Sequence, residues 1–392
     1  MNILFYRYGS ICEPDIITGF QELGNHVSEI TLEVTNKTPS PMESFTILKN
    51  ELLEHSYDFV FSINFYPFIS EVCNVFQIRY LCWTVDSPVM ELYSHSLENP
   101  WNRIFLFDRA QYDEFHPRNP SCIFHLPLAS NPARWEKVIN SSSSTDTQKY
   151  TGDISFVGSL YTEKCPYDRL ANAPEYLTGY LEGLMAAQLK VYGYYFLEEL
   201  LSDDMVAEFK KHLPGFYIPP DNFIRNDRIT MAQVYLCSKI SAMERLHTIR
   251  LLGEHYPVNL FTGSDTTGLP VKNCGLVKTL TEMPLVFNHS KINLNITSKS
   301  IRTALPLRVF DVLACGGFLL TNYQSELTDY FSIGNDLECY ASDDELLSKV
   351  DYYLTHEKDR IEISQNGLDA VRKYHNYPER LLQMISLAYG LS

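Results

Sequence analysis

The chain has 392 residues, 45% of them hydrophobic and 20% charged, the composition of a globular protein with a real core and not of a disordered one. Lys plus Arg number 32 against 48 Asp plus Glu, a formal net charge of −16. That balance excludes sequence-independent binding to a nucleic-acid backbone and opposes an anionic membrane surface. At about 100–200 residues per domain, the length predicts two or three domains.

The opening residues Met1 to Tyr6 lack a charged segment followed by a long apolar one, so no signal peptide is expected. No apolar run reaches the roughly 18 residues of a membrane span. The nine cysteines are scattered and form no CxxC pair, so they predict reduced thiols, no zinc ribbon and a cytoplasmic protein. The sequons at Asn140, Asn288 and Asn295 then have no meaning.

In chain order, residues 2–8 form an apolar run that ends at Gly9. A helical pattern through Ile16, Ile17, Phe20 and Leu23 follows, closed by Gly24, and a second strand begins at His26. Strand, glycine turn, helix and strand make a βαβ unit of a parallel sheet. Apolar runs at 58–63, 78–83, 103–108 and 122–127 continue the series. Residues 139–152, rich in serine and threonine, read as a linker. A second α/β series starts at Asp153 and continues with strands at 258–263, 291–296 and 318–321. Between them, about 170–255 reads as a helical insertion. The predicted organisation is a doubly wound domain at 1–138, the linker at 139–152, a second domain at 153–377 and a terminal helix at 378–392. Ligands of such sheets bind at the carboxyl ends of the strands, so the cleft between the domains is the expected site.

The most informative stretch is Thr303 to Gly317, TALPLRVFDVLACGG, after the strand at 291–296. Thr303 or Ser300 can cap a helix there, with Pro306 in its first turn and Gly316 stopping it. The free N–H groups and positive dipole of that first turn suit a pyrophosphate. Asp311, two turns on, can accept from two ribose hydroxyls. The competing reading is a packed helix with Arg308 and Asp311 as an i,i+3 ion pair.

Strand, PLRVFDVLACGG, FLLTN and then Glu326 resemble the donor domain of GT-B glycosyltransferases of the glycogen-synthase-like kind. That pattern has two glutamates eight residues apart. Asp311 stands at the second and Thr303 at the first. The superfamily's arginine and lysine after the first strand of that domain correspond to Ser159 and Lys164, so the lysine matches and the arginine does not. Arg169, Arg302 or Arg308 are candidates for the lost charge.

Over nearly its full length the chain resembles CgeB-type spore-maturation glycosyltransferase-like proteins, in VFSIN (60–64), WTVDSP (83–88), HLPLA (125–129), FVGSLY (156–161), GYLE (179–182), SKINLN (290–295) and the PLRVFDVLACGGFLLTN run.

The resemblance implies a GT-B, α/β architecture of two Rossmann-like domains. It implies a bacterial, cytoplasmic enzyme that transfers a hexosyl or N-acetylhexosaminyl group from a nucleotide-diphosphate sugar, UDP-linked. No cofactor and no metal are expected. Donor-binding candidates are Gly158, Lys164, Arg302, Thr303, Leu305, Arg308 and Asp311. Acceptor-binding candidates are Gly9, Ser10, Asn64 and Trp83. Asp86, at a strand end, is the candidate general base for an inverting reaction; its competing reading is a helix cap. The acceptor is expected to be a protein (flagellin, a surface or a spore-coat component) or a glycan. No nucleic-acid partner or membrane span is expected, and a homodimer is one expectation. The alternatives are a nucleotide-sugar epimerase on the same fold and a non-catalytic surface or spore-coat assembly protein.

Overall fold

The computed structural model describes residues 1–163 and 165–391. It divides into two compact units. Unit 1 comprises 1–130, 219–225 and 374–392; unit 2 comprises 131–218 and 226–373.

Unit 1 is built on six parallel strands: β1 Asn2–Tyr6, β2 His26–Ile30, β3 Phe59–Ile63, β4 Arg79–Trp83, β5 Asn102–Leu106 and β6 Ile123–His125. They lie in the order β2-β1-β3-β4-β5-β6. The central runs Ile3–Tyr6, Phe59–Ile63 and Tyr80–Trp83 are wholly buried. A strand covered on both faces carries no alternating polar residues, which is why these read as continuous apolar runs. The C-terminal helix Tyr377–Tyr389 packs on the helix Glu13–Glu22. Gly19 makes the approach possible, because a Cβ there would stand 2.8 Å from Leu381 Cδ1.

Unit 2 is a second all-parallel sheet: β7 Gly152–Val157, β8 Val258–Phe261, β9 Lys272–Asn273, β10 Ser290–Asn295, β11 Leu319–Asn322 and β12 Glu338–Tyr340. Its order is β12-β11-β10-β7-β8-β9. The strand order reverses between β7 and β10 here and between β1 and β3 in unit 1. Such reversals open the crevice in which doubly wound sheets take ligands.

Several boundaries differ from the sequence expectation. Residues 139–152 are not a structureless linker. They hold the helix Ser144–Tyr150, started by a capping box in which Ser143 and Asp146 bond reciprocally, and the first segment of unit 1 already ends at Ser130. The predicted insertion is helical and has its own core around Leu177, Leu181, Phe209, Tyr235 and Ile240. Residues 219–225 leave it for unit 1, where Ile224 N donates to Tyr93 O (2.8 Å) and His95 N to Asn222 O (3.0 Å). The helix before these residues, Asp203–His212, has already ended. The segment after Lys373 also belongs to unit 1.

Candidate functional site

In unit 2 the carboxyl ends of β7 and β10 converge on one group of side chains. The helix Leu307–Ala314 follows β10. Its cap position is an extended Pro306, three residues later than Thr303, and no side chain caps it. Thr303 is therefore not its cap. The first N–H groups of this helix and its positive end are open to an anion. Gly316 closes it at φ +68°, a conformation glycine adopts without strain.

Arg308, in the first turn, donates to Val157 O at the end of β7 and lies over Phe287, 5.4 Å from the ring centroid. Burial holds its guanidinium below the usual range; Asp311 attracts it and Arg245 repels it. Asp311 is buried one turn further along the same helix. Gly158 takes φ +152° just after β7 and gives its N–H to Phe261 O. A Cβ on it would stand 3.9 Å from an Arg308 terminal nitrogen. Gly158, Arg308 and Asp311 thus come together.

Thr303 is tied to the next loop: its hydroxyl donates to Glu326 Oε1 (2.7 Å), and Glu326 N donates to Thr303 O (3.1 Å). A buried carboxylate therefore stands beside Thr303, at the position where the resemblance has its first glutamate. Leu305 is 3% exposed and packs in the core, so its side chain offers nothing to a polar ligand. Arg302 lies within electrostatic range of Tyr195 and Cys237 of the helical insertion. Arg169 donates to Pro166 O and belongs to a turn within the insertion, not to the β7 end. Lys164 lies outside the described residues.

Two residues of the long helix Cys237–His255 went unnoticed in the sequence. Arg245 donates to Ser159 O (2.5 Å) and to Ile296 O (2.8 Å), bridging the loops after β7 and β10. Its guanidinium stacks on Tyr161, 4.1 Å from the ring centroid. Glu244, nearly inaccessible, pairs with Lys299 (3.1 Å) and accepts from Asn322 Nδ2 (3.3 Å). The available signal was placement: Arg245 shares a helix face with buried Ser241, Ile249 and Leu252, where an arginine is out of pattern.

In unit 1 the corresponding strand ends gather Tyr8, Asn64 and Asp86. Asn64 sits at φ +59°, and the left-handed turn brings its side chain back across β4. Its Oδ1 accepts from Val85 N (3.0 Å), while its Nδ2 donates to Asp86 Oδ2 (2.7 Å) and reaches Tyr8 OH (3.4 Å). Asp86 is exposed and caps no helix; the next helical turn, Met90–Tyr93, starts from Val89. The Tyr8 phenol is pushed up by burial and by the Asp86 charge.

Gly9 and Ser10 adjoin this group. The Gly9 N–H, however, is spent on buried Glu13 (2.9 Å), which also accepts from Tyr8 N (2.9 Å) and Arg7 Nε (2.9 Å). Gly9, at φ +92°, serves the turn. Ser10 Oγ lies 3.2 Å from Cys12 Sγ. Trp83 does not reach an acceptor surface. It is 1% exposed, its indole N–H donates to Leu126 O (3.1 Å), and its edge meets Tyr377. Among the described residues, no group of three or more His, Cys, Asp or Glu is placed to hold a metal ion, and no helix is long and apolar enough to cross a membrane.

Over its whole length the chain is similar in structure to HepE from Anabaena, solved with UDP-glucose (TM-score 0.56, 11% identity, 100% of both chains). It is similar to sucrose-phosphate synthase from Thermosynechococcus elongatus (TM-score 0.54, 11% identity, 100% of this chain and 99% of that one). It is also similar to the T4 phage protein BGT, solved with its UDP-glucose substrate (TM-score 0.51, 12% identity, 100% of both chains). The chain has the GT-B fold. Residues 234–386 of this GT-B chain match the family model described as glycosyl transferase-like. That segment holds Glu244, Arg245, Arg308 and Asp311. A comparison with curated proteins returned no match.

Proposed function

We propose that the chain is a glycosyltransferase that takes a sugar from a nucleotide-diphosphate donor, UDP-linked, and passes it to a hydroxyl of a protein or glycan acceptor. The glycosyl transferase-like match and the GT-B fold support the reaction class. The observation that carries the donor site is the uncapped helix start at Leu307 beside Gly158 and Arg308, with Asp311 one turn on. There the diphosphate meets backbone N–H groups and a guanidinium, which stabilise the charge that develops as the sugar leaves. Asp311 holds the ribose.

For an inverting reaction the general base is Asp86 of unit 1, oriented by Asn64, which takes the proton of the attacking hydroxyl. Metal independence, a hexosyl or N-acetylhexosaminyl group, a CgeB-type role in the bacterial cytoplasm and a flagellin, surface or spore-coat acceptor belong to the same reading. The full-length motif resemblance supports these.

The test is a thermal-shift panel of UDP, GDP, dTDP and ADP, with and without magnesium. One diphosphate raises the melting temperature through mass action on the native state, and Asp311→Ala abolishes the rise. Magnesium changes neither result. If no diphosphate shifts the wild-type chain, the donor site is wrong. Donor turnover without any added acceptor would favour an epimerase.

A further inference from the structure

The cations at the β7 and β10 ends differ in what neutralises them. Lys299 has its own carboxylate, Glu244, at 3.1 Å, and both side chains are almost fully buried. Arg308 and Arg245 donate to main-chain carbonyls instead, at Val157, Ser159 and Ile296. Burial lowers both guanidinium pKa values; the Tyr161 phenol and Glu244 are the main groups that favour charge on Arg245, and Asp311 favours it on Arg308. The carboxylate of the β7 loop itself, Glu163, is turned to the hydroxyls of Ser159 and Thr162.

A buried cation whose hydrogen bonds go to neutral main-chain carbonyls is costly, and two of them side by side repel. Arg245 also keeps its Nε–H buried with no acceptor, a donor that folded proteins rarely leave unmet. Of its five N–H donors, two hold the loops, the Tyr161 side chain engages the group as well, and the Nε–H is left open. An anion against both guanidinia would relieve the repulsion and satisfy the open donor.

We propose that Arg245, reaching in from the helix Cys237–His255, binds the donor's diphosphate together with Arg308 and supplies the positive charge that Ser159 does not. This rests on the donor site proposed above. Stacked on Tyr161 and anchored to Ser159 and Ile296, the guanidinium is oriented before the ligand arrives, so little side-chain freedom is lost on binding. A lysine cannot reproduce this geometry: it has no planar fork and places its charge at a point.

The experiment compares wild type, Arg245→Lys and Arg245→Gln by calorimetric titration with UDP, inorganic pyrophosphate and uridine. The wild type binds UDP, and pyrophosphate competes for the same site. In both variants the dissociation constants for UDP and pyrophosphate rise about tenfold or more, the effect of losing a charge-assisted contact, while that for uridine stays within about twofold. Folded variants that bind UDP and pyrophosphate like wild type overturn the role of Arg245 and leave the donor site standing. A wild-type chain that binds neither overturns both.

Where the variants do not fold, phenylglyoxal modification of the wild-type chain, read by peptide mass spectrometry, decides. UDP slows modification of Arg245 several-fold and uridine does not; equal rates with and without UDP overturn the proposal.

Discussion

Replacing Arg308 by methionine separates ligand binding from stability. The apolar stem keeps its place against Phe287. What is lost is the guanidinium's hydrogen bond to Val157 O, about 1.5–3 kcal/mol for a charged donor, together with its attraction to buried Asp311. What is gained is the removal of a desolvation cost of several kcal/mol and of the repulsion from Arg245. The two offset, so apo stability changes by less than about 2 kcal/mol in either direction. At about 2–4 °C per kcal/mol for a domain of this size, that is a melting shift within about 8 °C.

The ligand term behaves differently. UDP at a hundredfold excess over its dissociation constant stabilises wild type by about 2.7 kcal/mol, a rise of about 5–11 °C. If Arg308→Met weakens binding about a hundredfold, the same UDP concentration stabilises by only about 0.4 kcal/mol and the rise shrinks to about 1–2 °C. Differential scanning fluorimetry with and without UDP reads both quantities. A variant that keeps the full UDP-dependent rise would place Arg308 outside the donor site. A variant whose apo melting point collapses well beyond about 8 °C would make the guanidinium a structural staple, not a ligand-binding group.

Asn64→Gly keeps the left-handed turn at no steric cost, so stability stays within about 1 kcal/mol, but Asp86 loses its clamp and the transfer rate falls about tenfold to a hundredfold; an unchanged rate in steady-state assays would remove Asn64 from the base's support. Gly367→Ala drives a Cβ to 2.3 Å from Asp336 O and 2.8 Å from Leu313 Cδ2, and chemical denaturation should show a loss of about 1–3 kcal/mol with no gain from helix propensity surviving. Glu282 is held below its ordinary value of 4.5, first by the Lys278 N–H and then by the Tyr150 hydroxyl, with Lys149 adding to both. Its stabilisation is therefore complete above that value and is lost as pH falls through the lower folded one. Denaturation at pH 6 and near pH 3 should show a smaller acid loss in Glu282→Gln than in wild type, and equal losses would sink the assignment.

The strands of both sheets were legible because parallel strands buried on two faces leave unbroken apolar runs. β9 and β12 were not. β9 has two exposed residues, and β12 contributes only Glu338, Cys339 and Tyr340, too short and polar to stand out from a loop. The helix Ser144–Tyr150 hid for the opposite reason. Its seven residues are mostly Ser, Thr and other polar types, and a capping box rather than an apolar stripe marks it. In the site, Asp86 and Asn64 were legible singly as strand-end polar residues. Their 2.7 Å contact was not, since it depends on Asn64 taking a left-handed backbone. Trp83 misled because a strand's last residue points either to the ligand edge or into the core, and here the core takes it.

The donor-side charges show why a motif can lapse while its geometry persists. A residue after β7 and a residue on the helix Cys237–His255 are 86 positions apart in the chain, yet Arg245 donates to the main chain of Ser159. A guanidinium reaching the β7 loop from that helix occupies the neighbourhood that an arginine at Ser159 would reach from within it. Anion binding requires positive charge and N–H donors near the strand ends, and it is indifferent to which element delivers them. The sheet order fixes where the crevice lies. The loop sequence fixes only one of several routes by which charge can be brought there. In a chain with a net charge of −16, Arg245 and Arg308 lie close enough to repel, with Glu244 and Asp311 as the carboxylates that favour their charge. In the donor-site reading, an anion bound to the native state relieves that repulsion, and it adds to stability only when present.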